Sequence, residues 1–187
     1  MLKYLLAIAS LMLAIPHVTI AATEATAEPP PNAAHDYCKQ KGGTVQTRTP
    51  EYGTNGANPL PLAYNREYCD FASADGTTHI DVLLTTLVTP KPTLAALAYF
   101  SKQHVDLKTC RGGPGSCYCA DVGGTDAFGG ATAAGGGWVL TTNVNDVLDV
   151  CAFPDLSAID AYGLFYHAYG IIRGQPLSHR FKYHSPY

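Results

Sequence analysis

Histidine and carboxylate stand close together at two places in this chain: His79 two residues before Asp81, and His167 beside Tyr166 and seven residues after Asp160. An imidazole oriented by a carboxylate is a general base, and a phenol beside it can donate a proton, so either group offers hydrolytic chemistry. Such a site also needs a nucleophile. No Gly-x-Ser-x-Gly elbow is present, and the even number of cysteines gives each thiol a partner, so none stands out. Cys110, Cys117 and Cys119 are near one another but lack the paired Cys-x-x-Cys spacing of a zinc site. His179 and His184, in "SHRFKYH", read as tail residues rather than ligands. Gly130 and Gly135, in "GATAAGGG", have phosphate-loop spacing, yet no Lys-Ser/Thr follows, so this is a surface loop. No cofactor and no metal is implied.

The elements that would hold these groups come from a repeat. "YCKQKGGT" (37–44) returns as "YCADVGGT" (118–125), "YCDF" (68–71) as "VCAF" (150–153), Ile80-Asp81 as Ile159-Asp160 and Phe100 as Phe181, all at offsets of 79 to 82 residues. Four landmarks in one order argue for two copies of one unit. The repeat also weighs on the chemistry. Aligned on Ile-Asp, His79 falls opposite Ala158 and His167 opposite Val88, so neither histidine is duplicated. What is duplicated is Cys, Gly-Gly, an aromatic and an Asp that suits a helix cap.

Each unit reads as a helix, a β-hairpin and a second helix. In the first, Asn32 or an Ala after it opens a helix through Tyr37 and Cys38, stopped at Gly42-Gly43. "TVQTRT" (44–49) and "REYCDF" (66–71) are strands, separated by a loop whose Asn55-Gly56 and three prolines are expected outside regular structure. In the second, "WVLTTNV" (138–144) and "LDVCAF" (148–153) are strands around a tight turn. "HIDVLLTTLVT" (79–89) and "AIDAYGLFYHA" (158–168) are the closing helices, although the first has enough β-branched residues for a strand. Thr78 with Asp81, and Ser157 with Asp160, fit the cap-x-x-acid pattern at their starts.

All six cysteines (38, 69, 110, 117, 119, 151) lie beyond residue 37. Six allow 15 pairings. Pairing within each copy, Cys38 with Cys69 and Cys119 with Cys151, is the scheme that treats the copies alike; Cys110 and Cys117 then remain, joined by the turn-rich "RGGPGS". Disulfides imply an oxidising compartment. In agreement, Lys3 followed by an apolar run from Leu5 to Ile15 reads as a secretory signal over residues 1–22, without the Cys a lipid anchor would need. Residues 23–32 form a Pro- and Ala-rich leader, 33–103 the first unit, 104–115 a linker with a turn, and 116–187 the second unit and tail. No later segment is long and apolar enough to span a membrane. A formal net charge of −3 argues against nucleic acid. The basic, aromatic tail "IIRGQPLSHRFKYHSPY" (171–187) reads as a solvated strand and terminus, and the 12 tyrosines serve either small cores or a binding surface.

Tyr-Cys-x-x-x-Gly-Gly, then a Cys-x-Phe strand, then an acidic turn into Ile-Asp and an aromatic helix, resembles the bacterial DUF333 family of small exported domains, often labelled haemolysins. The resemblance covers residues 33–103 and 112–182 and is closer in "VCAFPDLSAIDAYGLFYHAYGIIRG" (150–174). It implies an envelope or secreted location and brings no catalytic residues. The expectation is therefore an α+β protein of two tandem disulfide-stapled units, periplasmic or secreted, that binds an envelope or extracellular protein or glycan. The alternatives are a secreted hydrolase using Asp160, Tyr166 and His167, and a virulence or haemolysin-like factor resting only on the family label.

Overall fold

A computed structural model of the chain describes residues 31–62, 64–110, 112–126 and 134–186. Residues 1–22, expected to be a secretory signal, residues 23–30 of the expected leader and residues 130–133 of the "GATAAGGG" loop lie outside the described residues. Helix α1 (Pro31–Gln40) is followed by strands β1 (Thr44–Tyr52), β2 (Leu60–Pro61), β3 (Arg66–Ala72) and β4 (His79–Leu83), then by helices α2 (Leu84–Val88) and α3 (Leu94–Ser101). A 3-10 turn at Leu107–Thr109 leads into α4 (Pro114–Asp121), β5 (Gly136–Leu140), β6 (Asn143–Leu148), β7 (Val150–Ala152), β8 (Ala158–Asp160) and α5 (Ala161–Ala168).

All the strands join one antiparallel sheet in the order β6-β5-β1-β3-β4-β8-β7, with β2 beside β1. The two ends of that order, β6 and β7, are separated along the chain only by Asp149. The sheet therefore curls until its first and last strands are successive parts of one segment. Strands β1, β3 and β4 of the first half lie side by side, and strands of the second half flank them: β1 pairs with β5, and β4 with β8.

Side chains alternate between the two faces with period two. Cys69, Phe71, Ile80, Val82, Cys151 and Ile159 point outward into the main core, which the helices cover. Tyr68, Leu83, Leu148, Val150 and Ala158 point to the concave face with Trp138 beside them.

Two disulfides tie helices to this sheet, Cys38–Cys69 from α1 to β3 and Cys119–Cys151 from α4 to β7, and a third, Cys110–Cys117, ties the end of the 3-10 turn to α4. The repeated Gly-Gly has a physical reason in both places. The first glycine takes the left-handed conformation that ends the helix, at φ 83° for Gly42 and 88° for Gly123. The second lies against sulfur: a Cβ on Gly43 would collide with Cys69 Sγ, and one on Gly124 with Cys151 Sγ.

Several local expectations are corrected. "HID" is not a helix start: residues 79–83 are strand, paired with β3 from Tyr68↔Leu83 to Ala72↔His79, and the helix begins only at Leu84. Asp81 is therefore no cap but an inward-facing strand residue. Ser157 does not cap α5 either; it accepts a hydrogen bond from Ala95 N at 3.0 Å, and Asp160 caps the helix. Pro50 and Pro61 lie within strands. Pro50 is tolerated because its carbonyl accepts from Leu62 N at 2.9 Å, so its missing N–H faces the wide 53–65 connection and not the ladder with β5. The second hairpin turns at residues 141–142, so its return strand starts at Asn143, five residues before the expected 148. The tail is not solvated throughout: Leu177 and Phe181 are fully buried, and Lys182 N donates to Leu87 O at 2.9 Å.

Candidate functional site

The concave face carries a polar network on neighbouring strands. Gln46 and Arg48 come from β1, Asp70 from β3, His79 and Asp81 from β4, Asp146 from β6 and Asp160 from β8. Strand register makes a row of the acids: Asp70 is opposite Asp81, and the Val82↔Ile159 pair sets Asp160 next to Asp81 on the other side.

Arg48 is fully buried. Its Nη1 donates to Asp146 Oδ1 at 2.9 Å and to Trp138 O at 3.1 Å, and its Nη2 donates to Gln46 Oε1 at 2.6 Å. Gln46 in turn donates from Nε2 to Asp70 Oδ2 at 3.0 Å. Asp81 Oδ1 lies 3.7 Å from Arg48 Nη2, an ion pair with no hydrogen bond. His79 sits at the rim, its Nδ1 4.0 Å from Asp70 Oδ1 and its Nε2 3.9 Å from Asp81 Oδ2. Both carboxylate oxygens of Asp81 and Oδ1 of Asp70 are buried without a hydrogen-bond partner.

Burial dominates the electrostatics. It pushes the Asp81 carboxyl well above the usual carboxylate range, and the nearby Arg48 guanidinium only partly opposes this. Asp70 and Asp160 are also raised by burial, with His79 pulling Asp70 down and the Gly163 N–H pulling Asp160 down.

The rim opens into a cleft of about 340 Å³ where the long strand breaks at Asp149. His79, Asp149, Asp160, Tyr162, Tyr166 and Arg173 line it together with Val147 and Leu148. Helix α5 supplies both tyrosines because Asp160 accepts from Tyr162 N at 2.9 Å and so fixes the first turn. Tyr162 is held in place from behind, since Gly115 of α4 leaves no room for a Cβ against its ring. The Arg173 guanidinium lies 5.5 Å from the Tyr166 ring centre. Burial, with Asp126 and Asp160 nearby, pushes Asp149 up to about 6.

The structure divides the residues that the sequence offered for hydrolysis. Asp160 and Tyr166 share the cleft, but His167 is not among its lining. Instead His167 stacks on Tyr99 of α3, ring centres 3.7 Å apart and planes 3° apart, and burial holds its pKa down at about 4. The histidine that joins Asp160 and Tyr166 is His79. The cysteines offered as metal ligands are all in disulfides, and His179 and His184 are exposed.

Asp70, Asp146, Asp149, Arg48 and Arg173 were not singled out by the sequence reading. The signal available was alternation: Tyr68-Cys69-Asp70-Phe71 and His79-Ile80-Asp81-Val82 each put polar and apolar side chains on opposite faces. Compared with known proteins, the chain matches no family, no curated protein and no solved structure.

Proposed function

We propose that this protein is an exported, non-enzymatic binding protein of the bacterial envelope or extracellular space, and that the cleft at Asp149 receives a glycan end. The observation that carries this reading is the composition of the cleft: two tyrosines from one helix face, two carboxyls and a guanidinium around about 340 Å³, a size suited to a small ligand. Aromatic rings give a sugar an apolar face to lie on, while carboxylate and guanidinium groups bond its hydroxyls. The compartment is supported by three disulfides. Among the described residues, no helix is long and apolar enough to cross a membrane.

The same proposal takes the chain as two DUF333-like units, residues 33–103 and 116–187. Its support is that strands at equivalent places pair with each other, β1 with β5 and β4 with β8, and that each half links its first helix to its return strand through one disulfide.

Calorimetric titration of the oxidised protein with soluble envelope glycan fragments tests the reading. Binding should be lost in Tyr166→Ala and Arg173→Ala with melting unchanged, and retained in Tyr64→Ala, whose side chain is 92% exposed in another part of the fold. Absence of binding to every fragment, or equal binding by the cleft variants, would sink it.

One observation favours a hydrolase as the second reading. Asp149, with a pKa near 6, shares the cleft with Asp160 and Tyr166, and a carboxyl so placed can act as a general acid near neutrality. Cleavage of a bound glycan, abolished by Asp149→Asn with binding retained, would select this reading over the first.

A further inference from the structure

The concave face holds more acid than its guanidinium balances. Asp70, Asp81, Asp146 and Asp160 converge there, and the bonds of Arg48 go to Asp146, Gln46 and the Trp138 carbonyl. A fully buried carboxylate with neither oxygen hydrogen-bonded is costly unless a positive charge sits beside it. Asp81 is in this position: its side chain has no exposed surface, both its oxygens lack a hydrogen-bond partner, and Arg48 approaches no closer than 3.7 Å.

The unpartnered oxygens point to a common place. One donor atom from each of Asp70, His79 and Asp81 lies within 4.8 Å of the other two. Asp70 turns Oδ1 toward this place because Gln46 occupies its Oδ2, the kind of orienting hydrogen bond that metal-ligating carboxylates have. The short approaches of His79, 4.0 Å to Asp70 and 3.9 Å to Asp81, are made by its two different nitrogens, so the single nitrogen that binds is held to the carboxylates only within 4.8 Å, wider than the about 3.4 Å between ligands set tetrahedrally around zinc. Binding therefore requires the three side chains to draw together around the ion, with the rim histidine, the most exposed of them, moving furthest.

We infer that Asp70, His79 and Asp81 bind a first-row divalent cation such as Zn²⁺ or Mn²⁺, which enters through the cleft past His79. An imidazole nitrogen with two carboxylates suits these ions, whereas Ca²⁺ takes about six to eight oxygens and Mg²⁺ keeps most of its water. The entry path is present, because His79 is 37% exposed and lines the cleft. Three protein ligands leave positions for water or for a hydroxyl of a cleft ligand. The site does not depend on what the cleft binds, and a titration with metal alone reads it.

The test uses the exported chain with its disulfides intact, stripped with EDTA, dialysed, and titrated with ZnCl₂ and MnCl₂ in a calorimeter, with melting curves alongside. One saturable cation per chain and a raised Tm are expected. Both should vanish in His79→Gln and Asp81→Asn, weaken about tenfold or more in Gln46→Ala, and persist in a variant with His179→Gln and His184→Gln together. If Asp81→Asn does not fold, His79→Gln decides the matter, since its side chain is at the rim. Absence of saturable binding in the wild type would overturn the inference and leave protons as the balance for these acids. Saturable binding that survives His79→Gln would overturn it as well, by placing the cation elsewhere.

Discussion

His167 stacks on Tyr99, and its Nε2 is buried with no hydrogen-bond partner. Its folded pKa of about 4 lies below the ordinary histidine value of 6.5, so between those values the unfolded chain takes up a proton that the folded chain refuses. The stability this residue contributes is thus complete above pH about 6.5 and is lost as pH falls through about 4. His167→Phe keeps a ring against Tyr99 and does not titrate. Urea midpoints of the variant and the wild type should therefore diverge in the variant's favour as pH is lowered through this window; parallel curves would contradict the buried-neutral assignment. Gly43 and Gly124 allow a sharper test. Each touches its disulfide so closely that Gly43→Ala or Gly124→Ala must displace sulfur or backbone, and each should destabilise by about 1–3 kcal/mol. Gly76→Ala supplies the comparison, because its Cβ position is open and only its φ of 69° is strained. These glycines were visible in the sequence as a repeated pair, but their reason was not, because the pairing of the cysteines does not tell how closely the chain after the helix passes the sulfurs.

Disulfide pairs were accessible from the sequence because the recurring landmarks put Cys38 and Cys119, and Cys69 and Cys151, at like positions, and the observed pairs follow that scheme. Strand β4 was harder to read, because Thr78-x-x-Asp81 imitates a helix cap while His-Ile-Asp-Val-Leu alternates like a strand. Tertiary pairing decided between them: with β3 on one side and β8 on the other, the strand has both edges satisfied. Asp70 could not be joined to Asp81 from the sequence at all, since their adjacency depends on the register of β3 against β4. The linked segments also set an order of stability. Cys38–Cys69 closes 31 residues and Cys110–Cys117 closes 7, which corresponds to about 3–4 against about 2 kcal/mol of unfolded-chain entropy. Replacing Cys38 and Cys69 together by Ser should therefore lower the urea-derived stability by about 1 kcal/mol more than replacing Cys110 and Cys117. The reverse order would mean that α1 is held to the sheet mainly by packing.

At the scale of the molecule, the halves are closed upon each other by the sheet and not merely joined by a linker. Separating residues 33–103 from 116–187 would strip β5 from β1 and β8 from β4, exposing two strand edges on each fragment. It would also divide the outer core. Tyr99 stacks on His167 and meets Phe181 at 5.6 Å between ring centres, Phe100 meets Phe181 at 5.7 Å, and Tyr99 Oη accepts from Leu177 N at 2.8 Å. The polar network divides as well, because Arg48 of the first half donates to Asp146 of the second. A fragment of about 70 residues has little core to lose, and its one long-range disulfide constrains the unfolded chain without restoring the missing neighbours. Neither oxidised fragment, with Cys117→Ser in the second because its partner Cys110 lies outside it, should therefore show dispersed amide resonances or a cooperative melt alone, whereas an equimolar mixture should recover both in a complex of one copy of each. A fragment that folds by itself, with its own melting transition and no gain on mixing, would show that the unit is self-sufficient and that sheet closure is an addition to it.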